Sequence, residues 1–473
     1  MSPGNYDLVI VGAGAAGLTT AIEAAGGGIQ TLLLESDNKV GGALHVSSGQ
    51  LSAGGTRLQA QCGISDSPEE HLADVLRIAD PASLHLPLVQ RAVSGAPQTV
   101  DWLLDEGLEI HHSCPAFYHF HETYSKPRTY WGVDGGNSIL KVLVNLLKPH
   151  IVSQQVTLSL NSRVIGIKVS RGRRVDLQVT TSNGDQTISA NHVVFATGGY
   201  AANSEMFREL TIQEPVLSAA WPKADGNALT LLRREGAAIW GERIFVPTFG
   251  GVEDPPGSHR TSRSCIPALV PQERPPWEVY VDENGRRFLR EDAASVHYRE
   301  KALRDLRPMH FWVIFDRTIQ ESAPPLFPKW ATQDIERAWN VHPDFVRADT
   351  LEALARRTSM PPAALTNTVS SYNRVALDGA PDEYGRVHTP QAIQSPPFFA
   401  VRNHATVLKS FAGIRVEENL KVHFSDKDSA PNIYAVGELL GGAPLSGDAF
   451  IGGMSLTPAL TLGRQLGQQL TKL

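Results

Sequence analysis

The sequence predicts an α/β fold in which a parallel-sheet domain is interrupted by a smaller α+β domain that covers it. The parallel sheet is predicted by two apolar strands, one near each end of the chain, each of which runs directly into a glycine-rich turn. A third observation predicts the insertion, since residues 244–390 alternate proline-rich turns with helical segments and never become low-complexity.

The composition is that of a globular protein. The 473 residues are 42% hydrophobic and 19% charged, which excludes a disordered or fibrous chain. A net charge of −6 offers no basic surface for nucleic acid or anionic lipid. No apolar stretch approaches the ~20 residues of a membrane span, and the first apolar run lacks the flanks of a signal peptide. We therefore expect a cytoplasmic protein without nucleic-acid or membrane partners. Its three cysteines, Cys62, Cys114 and Cys265, are too widely spaced for a disulfide framework or a CxxC motif.

The first element is a buried strand at residues 6–11, followed by Gly-Ala-Gly-Ala-Ala-Gly at 12–17 and a helix at 18–25. A second strand, 31–34, ends in Glu35, where an acidic side chain can accept hydrogen bonds from a ribose. The glycines permit a tight turn, close approach of a pyrophosphate and close helix–strand contact, and the helix N-terminus favours phosphate. An unrelated βαβ unit could contain such a turn, but the complete context favours a dinucleotide site.

The next elements indicate which dinucleotide is bound. Residues 41–55 form a loop of small residues, which a flat isoalloxazine ring pressed against backbone needs and a nicotinamide does not. Residues 157–169 and 175–180 alternate as a β-hairpin or meander, and 191–199 reads as a buried strand that ends in a second close-approach turn. Residues 432–438 repeat the pattern of strand, glycine and acid before a C-terminal helix, so the two ends of the chain should meet.

The residues also predict a domain organisation. We expect a cofactor domain made of residues 1–240 and 391–473, with residues 241–390 forming the inserted domain.

Six motifs in chain order resemble those of the fumarate reductase/succinate dehydrogenase flavoprotein superfamily, which includes the 3-ketosteroid dehydrogenases. They are the glycine turn at 12–17, Glu35 with the small residues at 41–49, Ala-Thr-Gly-Gly at 196–199, Ala-Asp-Gly-Asn-Ala at 224–228, Asn-Gly-Arg-Arg-Phe at 284–288, and Val-Gly-Glu at 436–438 with Gly452-Gly453. The resemblance implies a Rossmann-like FAD-binding domain with a capping domain, and a substrate held between the cap and the flavin. It also implies hydride transfer between a carbon and flavin N5, coupled to proton transfer at the neighbouring carbon.

Matched motif by motif, the resemblance implies an FAD envelope. Its residues are Gly12, Gly14, Ala15, Ala16, Gly17, Glu35, Ser36, Gly41, Gly42, Ser48, Gly49, Val164, Ala196, Thr197, Gly198, Asp225, Gly437, Glu438, Ser455 and Leu456.

The substrate residues depart from the family pattern. Dicarboxylate-reducing members carry a proton-delivering arginine at the position of Ser295, a clamping histidine at Lys409 and a clamping arginine at Phe450. A phenyl ring cannot replace the charge-assisted bonds of an arginine. We therefore expect fumarate or succinate to be a poor substrate, although Lys409 could anchor a carboxylate.

The C-terminal turn at 453–460 is similar to that of the ketosteroid dehydrogenases. In those enzymes a backbone N–H in this turn, here that of Gly453, helps to polarise the substrate ketone, as an oxyanion hole does. Their two active-site tyrosines match Ser295 and the region of Phe450, so both phenols are absent.

Candidates for the proton-transfer group are therefore Ser295, His297 and Tyr130, with Tyr298 in the same helical turn as His297. His297 and Tyr298 could equally be surface residues of the helix. The aromatic loop, residues 114–131, could be a pocket lid or a hydrophobic brace. Its histidines lack the spacing of a metal site, so we expect no metal.

These observations predict an FAD-dependent oxidoreductase that desaturates a C–C bond next to a carbonyl in a cyclic or apolar ketone or acid. The partners would be a small-molecule substrate and an external electron acceptor or donor. The alternatives are an ene-reductase of the fumarate reductase type and, in another class, a non-catalytic flavin-binding subunit or sensor.

Overall fold

A computed structural model describes residues 5–169, 174–425 and 432–472. The strands are β1 (Asn5–Val11), β2 (Thr31–Leu34), β3 (Leu51–Ser52), β4 (Thr129–Tyr130), β5 (Val156–Ser159), β6 (Arg163–Val169), β7 (Val175–Thr181), β8 (Gly184–Phe195), β9 (Leu217–Ser218), β10 (Ile239–Trp240), β11 (Val279–Val281), β12 (His310–Asp316), β13 (Phe345–Ala348), β14 (Phe398–His404), β15 (Thr406–Val407), β16 (Gly413–Ile414) and β17 (Ile433–Ala435). The helices are α1 (Ala15–Gly26), α2 (Arg57–Gln61), α3 (Pro68–Ile78), α4 (Leu86–Ser94), α5 (Ala96–Asp105), α6 (Gly136–Val152), α7 (Ser204–Thr211), α8 (Asn227–Arg234), α9 (Val296–Asp305), α10 (Arg317–Ser322), α11 (Thr332–Val341), α12 (Leu351–Arg357), α13 (Pro362–Asp378), α14 (Ala443–Ser446) and α15 (Leu456–Leu470).

The main sheet has the strand order β5-β2-β1-β8-β7-β6, and β17 pairs with β8. The strands β5, β2, β1, β8 and β17 run parallel, whereas β7 is antiparallel to both β8 and β6. The α/β fold and its mixed, largely parallel sheet confirm the predicted fold class. One detail differs, because residues 157–169 do not form a single hairpin arm: β5 pairs with β2, and only β6 forms the predicted hairpin with β7.

The parallel strands bring distant parts of the chain to one edge of the sheet. The strands β1, β2, β8 and β17 end at Val11, Leu34, Phe195 and Ala435, so the turns that follow them are neighbours. The C-terminal helix α15 packs on α1, where Thr20 Oγ1 donates to Gly463 O at 3.1 Å. The two ends of the chain therefore meet, as the sequence predicts.

A second, antiparallel sheet has the order β11-β12-β14-β13. Its core is aromatic: Phe315 stacks on Phe399, and Trp339 and Phe345 pack beside them. The last strand of this sheet, β14, lies after residue 390, and the division of the chain into residues 1–240, 241–390 and 391–473 stays a prediction. Among the helices of the described ranges, none combines the length and apolar character needed to cross a membrane.

Candidate functional site

A cavity of about 620 Å³ lies along the carboxyl-end edge of the main sheet. One side is lined by the turns after β1, β2, β8 and β17. The other side is lined by residues between 248 and 329, which we call the inserted segment and which include the first turns of α9. The aromatic loop and the turn before α15 complete the wall. The cavity therefore lies where α/β sheets bind dinucleotides, and its volume is within the usual range of ligand pockets.

The glycine turn after β1 has the shape of a phosphate cradle. Gly12 has φ +101°, and a Cβ on it would lie 2.5 Å from Ala196 O. A Cβ on Gly17 would lie 1.8 Å from Gly12 O, so this glycine permits the close contact between helix and turn. At Gly14, which lines the cavity, no described residue outside its own chain neighbours has a heavy atom within 4 Å of an added Cβ. The cradle is thus closed on the protein side and open on the cavity side, which fits a pyrophosphate.

Glu35 is fixed at the end of β2 by backbone donors. Its Oε2 accepts from Ala13 N at 2.8 Å, and its Oε1 accepts from Asp37 N at 2.8 Å. A carboxylate held in this way at the cavity wall can also accept bonds from a ribose. Thr197 Oγ1, in contrast, is buried and has no hydrogen-bond partner among the described residues. Both observations fit a polar ligand in the cavity.

The structure places most of the predicted FAD envelope on this cavity. The lining members are Gly12, Gly14, Ala15, Ala16, Glu35, Ser36, Gly41, Gly42, Ser48, Val164, Ala196, Thr197, Gly198, Asp225, Gly437, Glu438, Ser455 and Leu456. Gly17 and Gly49 are packing positions instead, and a Cβ on Gly49 would lie 2.4 Å from the carbonyl carbon of Gly135. Asp225 is also paired with Arg163, whose Nη2 donates to its Oδ2 at 2.7 Å.

Lys409 is a buried cation in the cavity wall, with 5% of the residue exposed. Its Nζ lies 4.5 Å from the ring centroid of Phe450 and donates to Ser446 Oγ and Ser455 Oγ, both at 3.2 Å. Burial lowers the pKa of Lys409 to about 8, although the nearby carboxyls Glu438 and Glu300 act in the opposite direction. Below pH 8 the cavity therefore contains a partly desolvated ammonium group.

Two of the predicted proton-transfer residues organise the N-terminus of α9. Ser295 is the N-cap, and its Oγ accepts from Tyr298 N at 3.1 Å while donating to Glu122 Oε2 at 2.9 Å. The backbone N of His297 also donates to Glu122 Oε2, at 3.0 Å. Neither Ser295 nor His297 lines the cavity, and Tyr298 is 41% exposed.

Tyr130 is also outside the cavity lining. It is fully buried, and its hydroxyl lies 2.7 Å from Thr56 Oγ1. Burial raises the pKa of Tyr130, which keeps the phenol protonated. The surroundings of Tyr130 are therefore those of a residue that stabilises the fold.

We expect Tyr130→Phe to lower the free energy of unfolding by about 1 kcal/mol, because it removes the buried hydrogen bonds of the hydroxyl with Thr56 Oγ1 and Ala53 O. Turnover should change less than about threefold, since the hydroxyl does not reach the cavity. Chemical denaturation together with steady-state kinetics checks both expectations. A loss of turnover without a loss of stability would restore Tyr130 as a proton-transfer candidate.

The sequence did not single out Arg299 and Glu300, which α9 presents to the cavity together with Val296. Arg299 is 1% exposed, its Nη1 donates to Leu269 O at 2.6 Å, and its Cζ lies 5.3 Å from the centroid of Phe249. Its Nε is buried without a hydrogen-bond partner in the described part of the chain. The i, i+3, i+4 spacing from Val296 was the available signal.

The aromatic loop acts both as wall and as brace. Tyr118, Phe120 and His121 line the cavity, and His121 stacks on Phe450 with 4.3 Å between ring centroids. Burial lowers the pKa of His121 to about 3, so its ring is neutral at physiological pH. Tyr124 braces the loop, because it is buried and its Oη donates to Gly452 O at 2.5 Å.

The turn that follows requires glycine. Gly453 has φ +75°, and a Cβ there would lie 2.4 Å from Ser52 N. Gly453 lines the cavity near Lys409, which is compatible with its predicted role. Within residues 5–169, 174–425 and 432–472, no three His, Cys, Asp or Glu side chains are placed to hold a metal ion.

Comparisons with known proteins agree with this geometry. The profile of the family described as FAD binding domain matches residues 7–449. The chain is 25% identical to a fumarate reductase (cytochrome) of Shewanella frigidimarina, over 98% of this chain and 77% of that protein. It is also 25% identical to a vinyl phenol reductase of Lactiplantibacillus plantarum, over 94% and 92% of the two chains. The crystal structure of a 3-ketosteroid Δ1-dehydrogenase from Sterolibacterium denitrificans has the same fold, with a TM-score of 0.79, 19% identity and 99% coverage of both chains.

Proposed function

Since this chain belongs to the FAD binding domain family and is an FAD-dependent oxidoreductase of the C=C and CH–CH class, we propose that it reduces a C=C bond next to a carbonyl or carboxylate in an apolar or cyclic substrate. The observation that carries the proposal is the presence in one cavity of the glycine cradle and the buried cations Lys409 and Arg299.

The described residues would hold FAD along its whole length. The cradle at Gly12 and Gly14 would take the pyrophosphate, Glu35 the adenosine ribose, and the loop at Gly41 and Gly42 the flavin side. When bound, FAD supplies the hydride chemistry at its ring system.

Lys409 and Arg299 would hold the carbonyl or carboxylate oxygen of the substrate. As a hydride adds to the far carbon of a conjugated C=C bond, negative charge develops on that oxygen. A buried ammonium and a buried guanidinium stabilise this charge more strongly than water does, because they are oriented before the reaction. The N–H of Gly453 remains a further candidate donor to the same oxygen.

The rest of the substrate side is mostly apolar. Phe249, Ile266, Leu269 and Phe450 line the cavity, which suits a ring or hydrocarbon body. Phe450 supplies no charge for a second carboxylate, so we expect fumarate to react slowly even though Arg299 adds a cation that the sequence argument did not count.

Reduction and desaturation would use the same groups. The sequence favours desaturation, the two named sequence relatives are reductases, and the named structural neighbour is a dehydrogenase. The desaturase direction is therefore tested in the same experiment.

Anaerobic mixing, followed through the visible flavin absorbance, tests the proposal. Chemically reduced enzyme is mixed with cyclic enones, arylpropenoic acids and fumarate, and oxidised enzyme with the saturated counterparts. We expect the apolar enones or arylpropenoic acids to restore the oxidised spectrum at least about tenfold faster than fumarate, a difference of ~1.4 kcal/mol in barrier. Equal rates with fumarate would contradict the substrate class. Reaction only of the saturated compounds would reverse the direction, and reaction of none would favour the non-catalytic alternative.

A further inference from the structure

Glu300 is a buried acid for which the cofactor site gives no role. It lies one turn after Val296 on α9, is 2% exposed and lines the cavity on the inserted-segment side. Burial and the charges of Arg299, Glu122 and Lys409 act on its carboxyl, and no hydrogen bond from another described residue is among these influences. Buried carboxyls are almost always paired, so one that faces a cavity without a partner indicates that the group meets a ligand.

The charged groups that act on Glu300 are Arg299 on its own helix, Glu122 on the aromatic loop and Lys409 in the cavity wall. Burial raises the pKa of Glu300 well above its usual range, Glu122 adds to this, and the two cations oppose it. The carboxyl is therefore held in its protonated form at a pH where ordinary glutamates are ionised, which is the form a general acid needs.

We propose that Glu300 delivers the proton to the substrate carbon next to the carbonyl, an inference that rests on the proposed function. The C=C bond gains a hydride at one carbon and the Glu300 proton at the other, and it becomes a single bond. The hydride comes from reduced FAD, which an external electron donor restores. The Glu300 carboxylate then regains a proton from water.

The other candidate acids suit this step less well, and Glu438, a second buried carboxyl of the cavity wall with a raised pKa, already accepts from Ser410 N at 2.9 Å. The residues predicted from sequence, Ser295, His297 and Tyr130, do not line the cavity. Tyr118 does line it, but burial raises the pKa of its phenol to about 12, which makes it a much weaker acid than a carboxyl group.

The test compares Glu300→Gln, which keeps the size of the side chain, with Glu300→Asp and with Tyr118→Phe as the control for the competing acid. The rate at which the most reactive compound of the panel oxidises the reduced enzyme should fall at least about a hundredfold in E300Q and recover partly in E300D. It should fall far less in Y118F than in E300Q. Reduction of the bound FAD by dithionite should be unaffected in all three, because that step does not need the substrate proton.

Infrared difference spectroscopy supplies a readout independent of turnover. Titration of the FAD-loaded protein without substrate should show a carboxylic-acid C=O band near neutral pH that is absent in E300Q. Bound FAD and melting temperature are measured for each variant, and if E300Q does not fold, E300D and the infrared band of the wild type decide.

The outcomes are distinct. If the wild type reacts with no compound in either direction, the proposed function fails. If the wild type reacts and E300Q keeps its rate within about threefold, or if Y118F is the variant that loses it, the role of Glu300 is wrong. Absence of the carboxylic-acid band at neutral pH would also contradict it.

Discussion

Replacing Gly14 by leucine is expected to abolish FAD binding while the chain still folds. Gly14 is the N-cap of α1 and has φ −81°, a conformation that any residue can adopt. No described residue beyond its chain neighbours lies within 4 Å of the position of an added Cβ, so the new side chain would extend into the cavity where the pyrophosphate belongs. We expect FAD affinity to fall by at least about a hundredfold, ~2.7 kcal/mol.

The matched control is Gly26→Leu, at the opposite end of the same helix. An added Cβ there also meets no described atom within 4 Å outside its chain neighbours and its own helix backbone, and Gly26 does not line the FAD cavity. The G26L variant should keep FAD at the wild-type stoichiometry, as judged by visible absorbance and by titration of the apoprotein. Full flavin occupancy in well-folded G14L would show that the cradle is not the phosphate site.

The second large effect is expected for Lys409→Met. This change removes a buried cation that lies in the cavity wall, and it should lower kcat/KM by about a hundredfold to a thousandfold, comparable to the loss of one preorganised donor. Flavin content should not change. Stability should not fall at pH 7, because the charge of Lys409 is itself unfavourable in the folded protein.

The pKa of Lys409 also determines how the stability of the folded protein changes with pH. Lys409 has a folded pKa of about 8, below the usual lysine value near ~10.4, so between these values the unfolded chain binds more protons than the folded chain. The wild type should therefore gain stability as pH rises through this window, and K409M should lack this gain. The curve is measured by denaturant unfolding at several pH values.

The activity profile supplies a second check. The kcat/KM of the wild type should fall as pH rises through about 8, where Lys409 loses its proton. Lys409→Arg should keep part of the activity and lose the contribution of Lys409 to this alkaline limb, because a guanidinium does not deprotonate in this range, so that only deprotonation of Glu300 still lowers the activity. An unchanged alkaline limb in K409R, or full activity in K409M, would remove Lys409 from the substrate site.

The cofactor half of the site could be predicted from the sequence because its signals are local. The turn at Gly12–Gly17 follows its strand directly, and a parallel sheet brings the turns after β1, β2, β8 and β17 to one edge. Glycines at positive φ, such as Gly12 and Gly453, are also specified by the backbone they permit.

The substrate half depends on how separate segments pack, which sequence spacing does not reveal. The structure places Ser295 at the N-cap of α9, but only the docking of α9 decides that Glu300 faces the cavity and His297 does not. Likewise, the aromatic character of Tyr130 does not reveal that Thr56 satisfies its hydroxyl outside the cavity.

A crystal structure of the FAD-loaded protein with a bound saturated product tests the central claim most directly. We expect the FAD pyrophosphate to lie on Gly12 and Gly14 and the product to lie between the flavin ring and α9. The carbonyl oxygen should be within hydrogen-bond distance of Lys409 Nζ or Arg299, with the neighbouring carbon facing Glu300. A product bound elsewhere, or a flavin ring that lies far from these side chains, would contradict the claim that this single cavity joins the cofactor and substrate sites.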